Sequence, residues 1–405
     1  DAGQTWTTNT DDLPVLGISD IAIDHSNPNV MYIATGDGDA YDTKSLGVLK
    51  STDGGSTWNI TDLNWSVTSQ KTIRRLLIHP TNPQVLIAAT SDGIWRTSNG
   101  GTTWNLQQSG IFIDAEFKPG DPNFVYAATR SFSGNSQIYR STNNGISFSL
   151  VHSFTDVIRC DIAVSAASSN LVDVVAVKSD RGLEGFYNSS NSGASFTNYY
   201  NATCSNNLLC NKYDASECGG QGSYDLAYAI NPNNANEKWL GGINTWKSSD
   251  GGVNWNLNNF WTSYSGYNPN NIQEQHADKH FIAFHPITND IYECNDGGLY
   301  VSDNGGVSWD DLSNGLGIGQ IYRIGTSATQ SDNVICGLQD NGSKEVTNGN
   351  WDDVTGGDGM ECIIDYTNSN VEYSTYQNGV IIKTIDGWLG GNIIVRNDST
   401  GVNEL

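Results

Sequence analysis

Ser51-Thr-Asp53-Gly-Gly55-Ser-Thr-Trp58 returns almost unchanged as Thr97-Ser-Asn99-Gly-Gly101-Thr-Thr-Trp104, and this recurrence decides the fold. Further copies are Ser141-Thr-Asn143-Asn-Gly145-Ile-Ser-Phe148, Ser189-Ser-Asn191-Ser-Gly193-Ala-Ser-Phe196, Ser248-Ser-Asp250-Gly-Gly252-Val-Asn-Trp255 and Ser302-Asp-Asn304-Gly-Gly306-Val-Ser-Trp309. A truncated copy ends at Trp6, and two degenerate ones lie at Thr347-Asn-Gly349-Asn-Trp351 and Thr384-Ile-Asp386-Gly-Trp388. The chemistry is that of a tight turn. The Asp or Asn side chain accepts backbone N–H groups across it, glycine supplies positive φ, and the aromatic ring anchors it to a sheet.

Each copy follows a pair of strand-like runs joined by a Pro/Asn-rich turn, such as Ile21-Ala-Ile-Asp24 with Val30-Met-Tyr-Ile-Ala-Thr35, or Leu76-Leu-Ile-His79 with Val85-Leu-Ile-Ala-Ala-Thr90. The unit therefore reads strand A, turn, strand B, loop, strand C, repeated turn, strand D. Its aromatic anchors, Trp6, Trp58, Trp104, Phe148, Phe196, Trp255, Trp309, Trp351 and Trp388, are spaced by 52, 46, 44, 48, 59, 54, 42 and 37 residues. Such spacing predicts an all-β chain folded as a β-propeller of four-stranded blades, each covering its neighbour's apolar face. Residues 1–405 read as one repeat region of about eight blades plus the tail of an earlier one. Two closures stay open: a larger ring of nine or ten blades, or a second propeller beginning after a ring of seven.

Composition fits this reading and narrows the partners. Glycine (44), tyrosine (18) and tryptophan (12) are abundant, as many short strands and tight turns require. A net charge of -24 repels nucleic acid and anionic membrane surfaces. No apolar run approaches the roughly 18–20 residues needed to cross a bilayer, so no membrane insertion is expected. Of seven cysteines, Cys204, Cys210 and Cys218 share one polar loop, which predicts one local disulfide in an oxidising compartment and at least one remaining thiol.

In this strand order the repeated turns and A–B turns lie at one end of the blades, and the B–C and D–A loops at the other. Functional side chains should gather at that second end. A B–C loop there, Thr35-Gly-Asp37-Gly-Asp39-Ala-Tyr41-Asp42, carries three carboxylates, and later ones carry Asn295-Asp296-Gly-Gly298 and Gln339-Asp340-Asn341-Gly342. The D–A connections hold Gly356-Gly-Asp358-Gly359 and an insertion with Phe260, Trp261, Tyr264 and Tyr267 that ends in His276-Ala-Asp278-Lys-His280. Rings beside carboxylates suit a sugar polymer, so Asp39, Asp42, Trp261, Tyr264, Tyr267, Asp340 and Asp358 are ligand-binding candidates. For Asp37, Asp39 and Asp42, acid catalysis, calcium ligation and a solvated turn all remain open. His276, Asp278 and His280 alternate, so on a strand they would share one side, as a metal site or as a hydrogen-bonded trio. None of these readings requires a cofactor.

The repeated turn resembles the Asp box, or bacterial neuraminidase repeat. Ala34-Thr-Gly-Asp-Gly-Asp39, the segment from His276 to His280, Asn295-Asp-Gly-Gly298, and Gly337-Leu-Gln-Asp-Asn-Gly342 with Gly356-Gly-Asp-Gly359 resemble Asp-box propellers secreted by Bacteroidetes, many of them glycosyl-hydrolase-like. The chain is more distantly similar to xyloglucan-type endoglucanases and to sortilin-type receptor propellers. The resemblance implies an extracellular or cell-surface protein that binds polysaccharide. With the endoglucanases it implies Asp37 and Asp296 as the carboxylate pair of an inverting hydrolysis, one activating water and one protonating the leaving oxygen. Asp37 sits in Thr-Gly-Asp-Gly-Asp, where those enzymes have Thr-Asp-x-Gly-Gly. A sialidase would need three converging arginines; Arg75, Arg159 and Arg323 fall near strand-A starts, but the acidic charge disfavours an anionic substrate. The rival expectation is a non-catalytic propeller for adhesion, with other surface proteins as partners.

Overall fold

The computed structural model describes residues 3–39, 43–262, 272–389, 392–395, 397–398 and 401–402. Eight successive antiparallel sheets carry the A–B–C–D order, the first being Ile18–Ile23, Met31–Thr35, Gly47–Ser51 and Asn59–Asn64. The later sheets open on Ile73–Ile78, Phe112–Phe117, Val157–Val164, Ala227–Ile230, Lys279–Phe284, Ile321–Thr326 and Cys362–Ile364. To the fifth sheet Gln273–Glu274 adds a fifth strand, paired in parallel with Asn256–Phe260. The chain divides into two compact units, residues 1–295 with 299–314 and residues 296–298 with 315–405.

The sheets are apolar on both faces, and alternation within one strand shows why. In Leu86–Thr90, Leu86 and Ala88 pack with Ala22, Tyr32 and Val48 of the first sheet, while Ile87 and Ala89 pack with Phe112, Ala115 and Val125 of the third. A one-residue slip would exchange the two sets, so both neighbours fix the register. The strand-A segments of the first six sheets accordingly pack one against the next.

The repeated turn has the expected chemistry. Asp53 Oδ1 accepts the Ser51 hydroxyl at 2.7 Å and the Thr57 N–H at 2.9 Å, and the Ser51 hydroxyl oxygen accepts the Gly55 N–H at 2.9 Å. Asparagine serves equally because the residue four positions on changes role. Thr57 donates its hydroxyl to Asp53 Oδ2, whereas Thr103 and Ser147 accept from the Asn99 and Asn143 amides. One degenerate copy is corrected. Thr347 pairs directly with Asn350 across Asn348 and Gly349, both at positive φ, making a two-residue hairpin that leaves Trp351 exposed.

Each turn docks on the preceding sheet: the Trp104 N–H donates to Asp62, and the Trp309 N–H to Gln273. Trp6 likewise donates Nε1–H to the Leu312 carbonyl of the sixth sheet, and Asn9 reaches the Gly55 carbonyl as Asn258 reaches that of Gly306. Ile21 is 57% exposed, although its counterparts Leu76, Ala115, Cys160 and Ile282 are buried.

Hydrogen bonds also fix which loops share an end. Gly54, Gly100, Asn144 and Gly251 donate from the repeated turns to A–B turn carbonyls of Asn29, Gln84, Asn123 and Asn236. At the other end, Gly36, Ser91 and Arg130 donate from B–C loops to Gly17, Thr72 and Ile111, just before strand A. Cys204 and Cys218 form the local disulfide, and Cys210 stays a buried thiol.

Candidate functional site

Inner strands open on a register shift of one residue, with Arg74 extra between Ile73 and Arg75, and His280 extra between Lys279 and Phe281. A bulge re-aims its extra side chain. Arg74 Nη1 lies 2.6 Å from Asp39 Oδ1, and His280 Nδ1 lies 3.4 Å from Asp39 Oδ2. Arg159 of the fourth sheet adds a third contact, Nη1 at 3.4 Å from Asp39 Oδ1. Side chains from the first, second, fourth and sixth sheets thus meet at one carboxylate. Its loop is braced by Asp37, whose Oδ1 accepts the Asp39 N–H at 2.7 Å and whose own N–H donates to the Thr43 carbonyl. Burial opposes ionisation of Asp39, but Arg159, His280 and Arg74 outweigh it and hold the carboxyl well below the usual range.

Arg75 is caged by Asp20, Asp114 and Glu116, its guanidinium bonded to Glu116. Asp20 and Asp114 also accept the N–H groups of Leu76 and Ile162, so each ties its strand to the next sheet. Arg159 donates to Asp161 and to the carbonyls of Tyr224 and Leu226. Arg75 and Arg159 are thus paired with protein carboxylates, and Arg323 stands beside Glu361, so each of these three arginines already has an acidic partner within the protein.

The His276, Asp278 and His280 alternation is corrected by the strand's start: Lys279 is its first residue, and Asp278 has φ 62. The three side chains have different neighbours: His276 Nδ1 the Ala277 carbonyl, Asp278 the Gln221 amide and His280 Asp39. Among the described residues, no three His, Cys, Asp or Glu side chains converge as a metal site would require. Trp261 is 39% exposed, with its Nε1–H bonded to the Asn211 carbonyl of the disulfide-tied insertion. Phe260 beside it meets Tyr213 edge to face. Asp42, Tyr264 and Tyr267 lie outside the described residues.

The second unit brings together Asp296, Asp340 and Asp358. The Asp340 N–H donates to Asp358 Oδ1 at 2.9 Å, Gln377 donates to Asp358 Oδ2 at 2.8 Å, and the Asn341 amide reaches the Asp296 carbonyl at 3.1 Å. Deeper in that unit, Glu372 accepts Trp388 Nε1–H at 2.7 Å and Asn333 Nδ2–H at 3.1 Å. Burial pushes its carboxyl up to about 7; the two donors resist and Glu345 adds to the rise. The folded form therefore keeps a proton that the unfolded chain has released, and stability present below pH 4.5 is lost as pH rises to about 7. Glu372→Gln is expected to remove this fall, worth roughly 3 kcal/mol. Parallel melting-point curves for the two proteins across that range would count against it.

The sequence did not single out Arg74 or Tyr213, and offered Arg159 only as a sialidase candidate. The available signal was the charged third residue of four successive inner strands, Asp20, Arg75, Asp114 and Arg159.

The succession of four-stranded antiparallel sheets defines a β-propeller-like, all-β protein. No protein-family model and no curated protein matches the sequence. Among solved structures, the GH74 enzyme of Niastella koreensis superposes with a TM-score of 0.67 at 18% identity, covering 95% of this chain and 60% of its own. The GH74 xyloglucanase from Xanthomonas campestris gives 0.69 at 14% identity, covering 97% and 63%. PorZ of Porphyromonas gingivalis, a surface component of the type-IX secretion system, gives 0.51 at 13%, covering 96% and 47%. The chain thus spans under two thirds of each of these proteins, and what it shares with them is the fold. No helix among the described residues is long and apolar enough to cross a membrane.

Proposed function

We propose that this is an extracellular or cell-surface Asp-box propeller that binds polysaccharide in the manner of a glycoside-hydrolase-like protein. The observation that carries the reading is Trp261, an exposed indole pinned by its Nε1–H to a disulfide-tied loop, in the same unit as the acidic loop of Asp37 and Asp39. A rigid aromatic face stacks on sugar C–H groups, while carboxylates take hydroxyl protons. Asp37 and Asp296 are the carboxylates through which an inverting hydrolysis would run, and Asp340 and Asp358 form the acidic surface of the second unit. The likeness to GH74 enzymes supports the choice of polysaccharide. In blade terms, the first unit holds six blades and the second holds two.

A glycan array together with a reducing-end assay on β-glucans tests this. Trp261→Ala is expected to weaken binding about tenfold, equivalent to about 1.4 kcal/mol. No binding and no new reducing ends on any polysaccharide would sink the reading. A second reading, a non-catalytic adhesion propeller, is favoured by exposed Ile21 and Ile23 in the first unit and Ile321 and Ile324 in the second, since clustered apolar exposure marks protein partners.

A further inference from the structure

Seven Asn-Gly pairs occur in the sequence, beginning at Asn99, Asn144, Asn304, Asn314, Asn341, Asn348 and Asn378. Such a pair carries its own reaction. The glycine backbone nitrogen can attack the asparagine side-chain carbonyl carbon, and glycine has no Cβ to obstruct the approach. Two conditions must hold: the glycine N–H must be free, and the asparagine side chain must be free to turn toward it.

The fold denies at least one condition at five of the pairs. The Gly100 and Gly342 N–H groups donate to the carbonyls of Gln84 at 2.9 Å and Gly357 at 2.7 Å, and that of Gly145 donates to the Ser141 hydroxyl at 3.0 Å. Gly379 closes the 3-10 turn Gln377–Gly379, in which i to i+3 bonding occupies its N–H. At Asn304 the side chain is held instead. It accepts the Ser302 hydroxyl and the Ser308 N–H at 3.0 Å each and donates to the Ser308 hydroxyl at 2.8 Å. Asn314 and Asn348 meet both conditions. Each is exposed, as is the glycine after it, and among the described residues neither side chain nor either following N–H has a hydrogen-bond partner. A Cβ placed on Gly349 would meet nothing within 4 Å, so the turn has room to rearrange.

We propose that Asn314 and Asn348 are sites of spontaneous deamidation in the folded protein. The glycine nitrogen bonds to the side-chain carbonyl carbon, the amide nitrogen leaves as ammonia, and a cyclic succinimide remains. Water then adds to one of its two carbonyls. Opening on one side gives aspartate; opening on the other gives isoaspartate, in which the backbone runs through the former side chain. Nothing is oxidised or reduced, and water is the co-reactant. Each conversion adds a negative charge to a chain already at -24. At position 348 isoaspartate lengthens a two-residue turn that sets Thr347 opposite Asn350, so that end of the hairpin is expected to open. At position 314 it falls on the peptide link where the first unit passes into the second. Neither site depends on whether the protein cleaves, or binds, a glycan.

The test incubates the whole chain at mildly alkaline pH, folded and in parallel unfolded in urea. Each Asn-Gly peptide is followed by mass spectrometry, with chromatographic separation of the isoaspartyl form. In the folded protein Asn314 and Asn348 are expected to convert about tenfold faster than the other five, since a hydrogen bond that must first open slows the step by that order. In urea the rates should converge, assigning the difference to the fold. Asn348→Gln should abolish the isoaspartyl peptide at that position and leave conversion at Asn314 unchanged. Comparable rates at all seven pairs of the folded protein overturn the proposal. So does the same ranking in urea, because neighbouring sequence would then explain it. A rate at either residue no faster than at Asn304 overturns the proposal for that residue.

Discussion

Asp173→Ala is expected to destabilise the first unit by about 3–5 kcal/mol, the cost of leaving a buried charge without its partner. Lys238 is 2% exposed and Asp173 0%, and the Lys238 ammonium is bonded to Asp173 Oδ2. The same oxygen accepts the hydroxyls of Tyr199 at 3.0 Å and Tyr228 at 2.8 Å. Truncation therefore leaves a buried ammonium with no counter-charge, only the Tyr199 hydroxyl oxygen at 2.9 Å, and takes the acceptor from two hydroxyls at once. Asp173 belongs to the fourth sheet and Lys238 to the fifth, so the loss falls on the contact between sheets. Urea unfolding followed by tryptophan fluorescence would measure it. A double replacement, Asp173→Leu with Lys238→Met, should recover most of the stability, because removing both charges also removes their desolvation. A single-variant loss below about 1 kcal/mol would mean that water reaches the ammonium, contrary to this account.

Asp39→Ala should cost about 3 kcal/mol, the lower end of the same range. Its side chain keeps 30% exposure, while Arg74 and Arg159 keep only 5% and 6%. The charges left behind are thus more buried than the one removed. The pH dependence has a definite sign. A carboxyl held below its ordinary value contributes stability above about pH 4 that is lost as pH falls through the depressed value. Asp39→Asn should therefore be less stable than the unsubstituted protein at neutral pH and approach it in acid. Thermal melts at pH 7 and pH 2.5 decide the matter: an equal deficit at both would show that shape, not charge, is what Asp39 supplies.

The sheets were legible because the turn that joins strands C and D advertises itself in eight residues and recurs at blade-sized intervals. The arrangement of the loops followed from strand order alone. What stayed illegible has three physical sources. Arg74 and His280 reach Asp39 only because a bulge turns each of them, and a bulge leaves no mark on the hydrophobic pattern. His276, Asp278 and His280 read as period-two partners, but the strand begins after Asp278, so the alternation had no strand to act on. The copy at Thr347 failed for a third reason, local competition. Asn348-Gly349 prefers the two-residue hairpin, and nothing in that copy replaces the Asp53 side chain that would oppose it.

Strand Leu86–Thr90, divided between two neighbours, bears on how such a molecule is assembled over evolutionary time. A sheet that presents the same kind of surface on either side can be copied, inserted or deleted as a unit, and the junction that results is again one of the same kind. A gain or loss of one sheet would then preserve the kind of surface at every junction, and the loops there, rather than the sheets themselves, would bear the cost of the change.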